Sequence, residues 1–455
     1  MPDGTLAVLE PATEAVLQEI PRADVADVDR AVARASAAFP GWRAVSASDR
    51  ATLLRRLSDT LRDHGEELAQ IEARNAGKPI ADARGEMDMV AQVFAYYAGS
   101  PERLLGDSIP VAGGQAWTVR EPLGVVGLIV PWNFPLTIAA WKLGPALAAG
   151  NTVVLKPAEL TPLSALRFAE LCLIAGIPEG VVNVVAGPGS TCGRRLVEHP
   201  DVAKIAFTGS TTVGRSIAAG AAETIKRVTL ELGGKSPNII FADADIAAAA
   251  AAAPGAVFGN AGQDCCARSR ILVQAGVLDA FMGELERAVT AIRVGDPLDE
   301  RSEMGPLISA GQRETVSSYV ADDAPVAFRG SAPDGPGFWF APTVLCPVTP
   351  DARAATEEIF GPVAVVIPFK DEEQAVRLAN DTIYGLSGSI WSGDGGRALR
   401  VARAIDAGVL SINSNTSVRV TTPFGGFKQS GYGRELGPHA LDAYTEVKSI
   451  FYATS

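Results

Sequence analysis

Two adjacent cysteines, Cys265 and Cys266, follow a glycine-rich turn in the stretch Phe258-Gly-Asn-Ala-Gly-Gln-Asp-Cys-Cys-Ala-Arg-Ser-Arg270. The apolar run Ile271–Val273 behind them reads as a short strand. A thiolate is a strong nucleophile that forms a covalent adduct and later releases it. Taken alone, two such cysteines are more often small core residues. Other residues change that balance. Asn133, in Pro131-Trp-Asn-Phe-Pro135, sits in a turn constrained by two prolines. A fixed side-chain amide can donate to an oxyanion, or simply cap its turn. Glu231 ends an apolar run just before Gly233-Gly234 and suits a general base as well as a salt bridge.

Further polar groups follow other apolar runs. Lys156 and Glu159, in Lys-Pro-Ala-Glu, are placed to grip ribose hydroxyls or to form a surface charge pair. Thr208-Gly-Ser-Thr-Thr-Val-Gly214 opens a helix, and a helix N-terminus favours phosphate. It departs from the usual dinucleotide glycine fingerprint. Gly187-Pro-Gly-Ser190 reads as a structural turn. The three histidines, His64, His199 and His439, are poor candidates for the base, so Glu231 is preferred.

The elements that carry these groups alternate. Strands at 124–130, 151–155, 181–185, 202–207 and 227–232 are separated by helices at 136–149, 161–175, 190–198 and 211–222. That pattern predicts a parallel sheet with right-handed crossovers and ligands at the carboxyl ends of its strands. A second α/β unit begins after Gly234 and holds a helix near 277–293 and a loop-rich span from 294 to 340. Upstream, residues 1–20 read as irregular or weak strands. A helix over 27–39 is stopped by Pro40-Gly41, and two more span 50–71 and 81–98. Residues 104–122 read as a hairpin, and the tail from Asp442 to Tyr452 as a strand that pairs with it, in this subunit or another.

Composition narrows the function. The chain has 455 residues, 47% hydrophobic and 20% charged, with a net charge of −12. The size predicts two or three domains. The acidic balance argues against nucleic acid and against an anionic membrane surface. Five scattered cysteines lack metal-ligand spacing, so no metal is expected, and free thiols fit a reducing, cytoplasmic setting. Residues 1–5 show no signal peptide, and no run reaches membrane-span length.

Seven motifs now stand in order: Pro-Trp-Asn133-Phe-Pro, Lys156-Pro-Ala-Glu159, Phe207-Thr-Gly-Ser-Thr211, Glu231-Leu-Gly-Gly-Lys235, Gly262-Gln-Asp-Cys265, Glu358-Ile-Phe-Gly-Pro362 and Pro423-Phe-Gly-Gly-Phe-Lys428. Across nearly the whole chain this resembles the aldehyde dehydrogenase superfamily. The glutamate and cysteine lie 34 residues apart. The resemblance implies an α/β fold of two Rossmann-like parallel domains plus a small β oligomerisation element. Residues 1–103 and 123–232 would bind NAD, 233–429 would be catalytic, and 104–122 with 442–455 would be oligomerisation strands of a homodimer or homotetramer.

It also implies roles. Cys265 would be the nucleophile, with Asn133 and the Cys265 N–H as oxyanion donors and Glu231 activating water. Trp132, Lys156, Glu159, Gly209, Ser210, Glu358 and Phe360 would hold the cofactor. A carboxylate at Glu159 favours NAD, with NADP also open. Trp141, Asp264 and Val418 would meet the aldehyde. Trp141 and Asp264 favour an ω-amino or trimethylammonio aldehyde, such as aminobutyraldehyde or betaine aldehyde. The alternative is succinate semialdehyde or a broad range of aliphatic and aromatic aldehydes, since Arg419 could meet a carboxylate. Cys266 is left without a role. The short N-terminal segment predicts the loss of a first strand pair.

Overall fold

Elements follow the chain from an N-terminal hairpin, β1 (Thr5–Leu9) and β2 (Val16–Pro21), in a computed structural model that describes residues 4–321 and 323–454. The expected loss of a first strand pair is therefore not seen. Most of the N-terminal stretch read for a signal peptide, and the last residue of the 442–455 segment, lie outside the described residues.

Helices α1 (Val25–Ala44), α2 (Ala47–Asp63), α3 (Gly65–Ala76) and α4 (Ile80–Ala98) come next. Two of these differ from the sequence expectation. Helix α1 runs through Pro40 instead of stopping there. It is well started, because Asp24 and Asp27 form a reciprocal capping box. Its far end is held by the Arg50 guanidinium, which donates to the carbonyls of Arg43 and Val45 and, from α5, to Ala148. Pro40 itself is exposed, so its ring meets water and not a neighbour. The expected single helix over 50–71 is two, because the chain turns at His64-Gly65.

A second hairpin, β3 (Ser108–Val111) and β4 (Gly114–Pro122), leads into β5 (Val125–Ile129) and α5 (Pro135–Ala148). Then follow β6 (Thr152–Lys156), α6 (Leu163–Ile174), β7 (Val182–Val184), α7 (Arg194–Glu198), β8 (Val202–Thr208), α8 (Thr211–Ala222) and β9 (Arg227–Glu231). The second unit contains β10 (Pro237–Ile240), α9 (Ile246–Phe258), β11 (Arg270–Gln274), α10 (Leu278–Thr290), α11 (Ala310–Ser317), β12 (Val326–Arg329), β13 (Thr343–Leu345), β14 (Val363–Phe369), β15 (Ser387–Trp391) and β16 (Val409–Ile412). The short β17 (Gly431–Tyr432) and the long β18 (Thr445–Ala453) close the chain.

The first large sheet has the order β17-β9-β8-β5-β6-β7, parallel apart from β17. Strand order reverses between β5 and β8, which opens a crevice at their carboxyl ends. The second has the order β12-β13-β14-β11-β10-β15-β16, parallel apart from β12. A three-stranded antiparallel sheet, β18-β4-β3, pairs the tail with the hairpin inside one chain. Ile109, Val111, Val447, Phe451 and Tyr452 stay exposed on it. Helix α5 is buried along its whole length between the first sheet and α4, where each large apolar side chain contributes roughly 1.5–3 kcal/mol. Among the described residues no helix is long and apolar enough to cross a membrane.

Candidate active site

The two large sheets meet end to end. Asn133 and Ser210 follow the carboxyl ends of β5 and β8, and Glu231 ends β9. Cys265 and Glu358 precede the amino ends of β11 and β14. The second unit thus offers its strand starts to the first unit's strand ends.

The loop that carries Cys265 owes its shape to three consecutive left-handed residues, Asn260, Ala261 and Gly262. A Cβ on Gly262 would stand 2.2 Å from the Gly361 carbonyl oxygen, so only glycine fits there. This turn aims the Asn260 amide at the carbonyls of Asn133, at 2.9 Å, and Gln263, at 3.2 Å. Asn133 answers by donating Nδ2 to the Gln263 carbonyl, at 2.9 Å. The Asn133 amide is 3% exposed and keeps a second N–H. The Cys265 backbone N–H has no acceptor among the described residues. Both are suited to an oxyanion.

The Cys265 and Cys266 sulfurs and an Asp264 oxygen lie within 4.8 Å of one another. A hydrogen bond with the Cys266 thiol, then burial, then the charges of Cys266, Asp264 and Glu358, push the Cys265 thiol well above its usual range. Cys265 therefore rests as the thiol. Burial also pushes Asp264 upward, against the Cys266 N–H bonded to its carboxylate at 2.8 Å.

Glu231 is 3% exposed, and neither carboxylate oxygen has a hydrogen-bond partner among the described residues. Burial first, and the Glu435 charge second, raise it well above an ordinary carboxylate. A buried carboxylate with empty acceptor sites is set to take a proton from water. Two residues that the sequence reading missed stand behind it. Lys142, on α5, is fully buried, pairs with Glu435 and donates to Thr208 Oγ1 at 2.7 Å. The available signal was a lone lysine inside an apolar helix, since a buried charge needs a partner.

The crevice above β5 and β8 is a cleft of about 750 Å³. Its lining includes Trp132, Lys156, Glu159, Gly209 and Ser210, which the sequence reading had grouped. Ser210 caps α8 through Val213 N, and the first turns of that helix face the cleft. Gly189 and Ser190 line it too, so the turn read as structural is part of the cleft wall. Burial lowers the Lys156 amine, which donates to the Pro157 and Gly187 carbonyls at 2.7 and 3.1 Å. Trp132, in the cleft wall, and Phe360 meet edge to face with ring centres 5.2 Å apart. Glu358 accepts from Gly234 N at 2.9 Å, and burial pushes it up to about 7. A side chain at Gly233 would strike that carboxylate, and one at Gly234 the Cys265 carbonyl.

Trp141, at 7% exposure, packs on Phe424 with ring centres 5.0 Å apart. Val418, Phe134 and Cys265 join the same apolar cluster. Trp141, Val418 and Cys265 thus share one apolar cluster, while Arg419 is exposed.

Residues 2–450 match the family model described as the aldehyde dehydrogenase family. The chain is 44% identical to the phenylacetaldehyde dehydrogenase of Pseudomonas fluorescens, over 99% of this chain and 93% of that one. It is 40% identical to the betaine aldehyde dehydrogenase of Bacillus subtilis, over 98% and 94%. The crystal structure of PnpE from Pseudomonas sp. WBC-3 in complex with nicotinamide adenine dinucleotide superposes with a TM-score of 0.97 at 46% identity, over 99% of this chain and 94% of that one.

Proposed function

The chain belongs to the aldehyde dehydrogenase family, and from that premise we propose how its own residues oxidise an aldehyde to the acid and which aldehyde they select. It is an NAD-dependent aldehyde dehydrogenase. The observation that carries the mechanism is the placing of a thiol, an anchored amide with a spare N–H, and a buried unpartnered carboxylate around one junction.

Lys156 and Glu159 would hold the adenosine ribose, the first turn of α8 at Ser210 would take a phosphate, and Glu358 would take the nicotinamide ribose. The fit rests on the cleft's size, the α8 N-terminus opening into it and the Trp132–Phe360 pair at its inner end. NAD+, when bound, supplies the hydride acceptor. Cys265 gives its proton to water and its sulfur bonds to the carbonyl carbon, whose π pair passes to oxygen; when that pair re-forms the C=O bond, the C–H pair departs as hydride. The oxygen that gains charge is held by Asn133 Nδ2–H and the Cys265 N–H. Cys265 afterwards carries the acyl group as a thioester. Glu231 removes a proton from water, whose oxygen attacks that carbon and frees the thiol. Lys142 and Glu435 set the charge that Glu231 feels.

For the substrate, an ω-amino or trimethylammonio aldehyde is supported by the paired aromatic faces of Trp141 and Phe424 and by the Asp264 carboxylate beside Cys265. A second reading, an aryl or alkyl aldehyde, is favoured because Asp264 is already bonded to the Cys266 N–H and pushed towards its neutral form. Residues 104–122 and 442–455 serve in this reading as oligomerisation strands of a cytoplasmic dimer or tetramer, supported by the apolar side chains exposed there. NADH production from betaine aldehyde, 4-aminobutyraldehyde, phenylacetaldehyde and hexanal tests the choice. A kcat/KM ranking led by the cationic pair supports the first reading, and one led by the other two removes it.

A further inference from the structure

Arg268 stands two residues beyond Cys266 and is 2% exposed. No carboxylate lies within ion-pair distance of it among the described residues. A buried guanidinium is costly unless its N–H groups are used. Here they point three ways. One N–H meets the Cys266 carbonyl, Nε donates to Ser389 Oγ at 3.0 Å, and the remaining nitrogen meets Ser417 Oγ. Ser417 also bonds to Ser387 Oγ at 3.3 Å. It immediately precedes Val418, which packs on the cluster holding Cys265 and Trp141.

The other ties of the loop 413–420 lie to either side of Val418. Ser411 Oγ, on β16, donates to the Thr416 carbonyl at 3.0 Å, and the Gly437 N–H donates to the Val420 carbonyl at 2.9 Å. The Asn415 amide reaches Ala252 O, on α9, at 3.1 Å. Arg268 is the side chain that joins Ser417, next to Val418, directly to the carbonyl of Cys266. We propose that Arg268 is a specificity-determining positioning residue, which clamps the substrate-lining loop at Ser417 to the backbone carrying Cys265 and Cys266.

The proposal rests on Cys265 being the nucleophile. It has a second, electrostatic consequence. Arg268 interacts with the charges of Cys266, Asp264 and Cys265. The other charged groups facing the thiols are Glu358, Glu231 across the junction, and Lys78, which acts on Asp264. Loss of the guanidinium removes a cation from a negative surrounding, which favours the thiol over the thiolate.

The test uses the full-length enzyme with Arg268→Lys, Arg268→Gln, Ser417→Ala and Cys265→Ala. KM and kcat are measured for linear aldehydes of increasing length. Iodoacetamide alkylation of Cys265 is followed against pH by peptide mass spectrometry. Ser417→Ala is expected to raise KM roughly fivefold to tenfold and flatten the chain-length preference, with kcat and the alkylation profile unchanged. Arg268→Gln is expected to do the same and to move alkylation to higher pH. Arg268→Lys restores the alkylation profile. If folded Ser417→Ala and Arg268→Gln keep the wild-type KM and length preference, the clamp is overturned, and a loss seen only in melting temperature counts equally against it. Activity in Cys265→Ala would instead overturn the nucleophile, and the alkylation and length-preference arms read separately from that result.

Discussion

Lys142 and Glu435 form a fully buried ion pair behind Glu231, although they stand 293 residues apart in the chain. The pair places one negative and one positive charge beside the same carboxylate. Glu435 raises Glu231, and Lys142 lowers it.

Removing either partner should therefore move the acidic limb of the kcat–pH profile in opposite directions. The base works only when deprotonated. Glu435→Gln takes away a charge that favours the protonated form, so the limb moves down by about one pH unit. Lys142→Met takes away a charge that favours the carboxylate, so the limb moves up. Steady-state rates from acid to neutral pH, at saturating substrate, check both signs.

Cys265→Ala should lower kcat on the order of 10⁴-fold or more, because no second group takes over the covalent step. Cys266→Ala should leave kcat close to wild type. Equal losses in the two variants would mean that the sulfur assignment is wrong. Glu231→Gln should instead give a burst of NADH close to one equivalent per active site, followed by a slow phase, since the thioester forms but is not hydrolysed.

Asn133→Ala should cost about 10²–10³ in kcat, the usual loss for one oxyanion donor. Because the same amide also anchors the Gln263 carbonyl, Asn133→Asp is expected to be at least as damaging. Rapid-mixing kinetics of the first turnover separate this from a defect in hydrolysis.

Glu358 is pushed up to about 7 by burial, so its carboxylate forms only above that pH. The KM for NAD should rise as pH falls below about 7, and Glu358→Gln should show a raised KM that no longer varies over this range. Initial rates at fixed aldehyde and varied NAD read this directly.

The positions of the alternating strands were legible because short apolar runs bounded by glycine and proline have few other uses. Thr211–Ala222 was read with its bounds intact, since Gly209-Ser210 marks its start and Ser210 caps it. Helix α1 was misjudged because the group that secures its far end, Arg50, lies in the next helix, and a tertiary contact leaves no local signal. Asn133, Cys265 and Glu231 stood out by chemical type beside constrained turns. Lys142 and Glu435 did not, because each looks ordinary until the fold buries them together. Arg268 shares that history. Its partners, Ser389 and Ser417, are serines on distant segments, and serine carries little information by itself.

Strand β17 pairs Gly431 with Glu231 and Tyr432 with Leu230, so the edge beside the proposed base is finished by residues about 200 positions further along the chain. A polypeptide still emerging from the ribosome has its thiol long before it has that edge. Synthesis must pass Glu435 before the water-activating carboxylate acquires its buried neighbour, and β18 must follow to seal the tail against β4. Chains cut short late in translation would accordingly carry a cysteine without a finished hydrolytic centre.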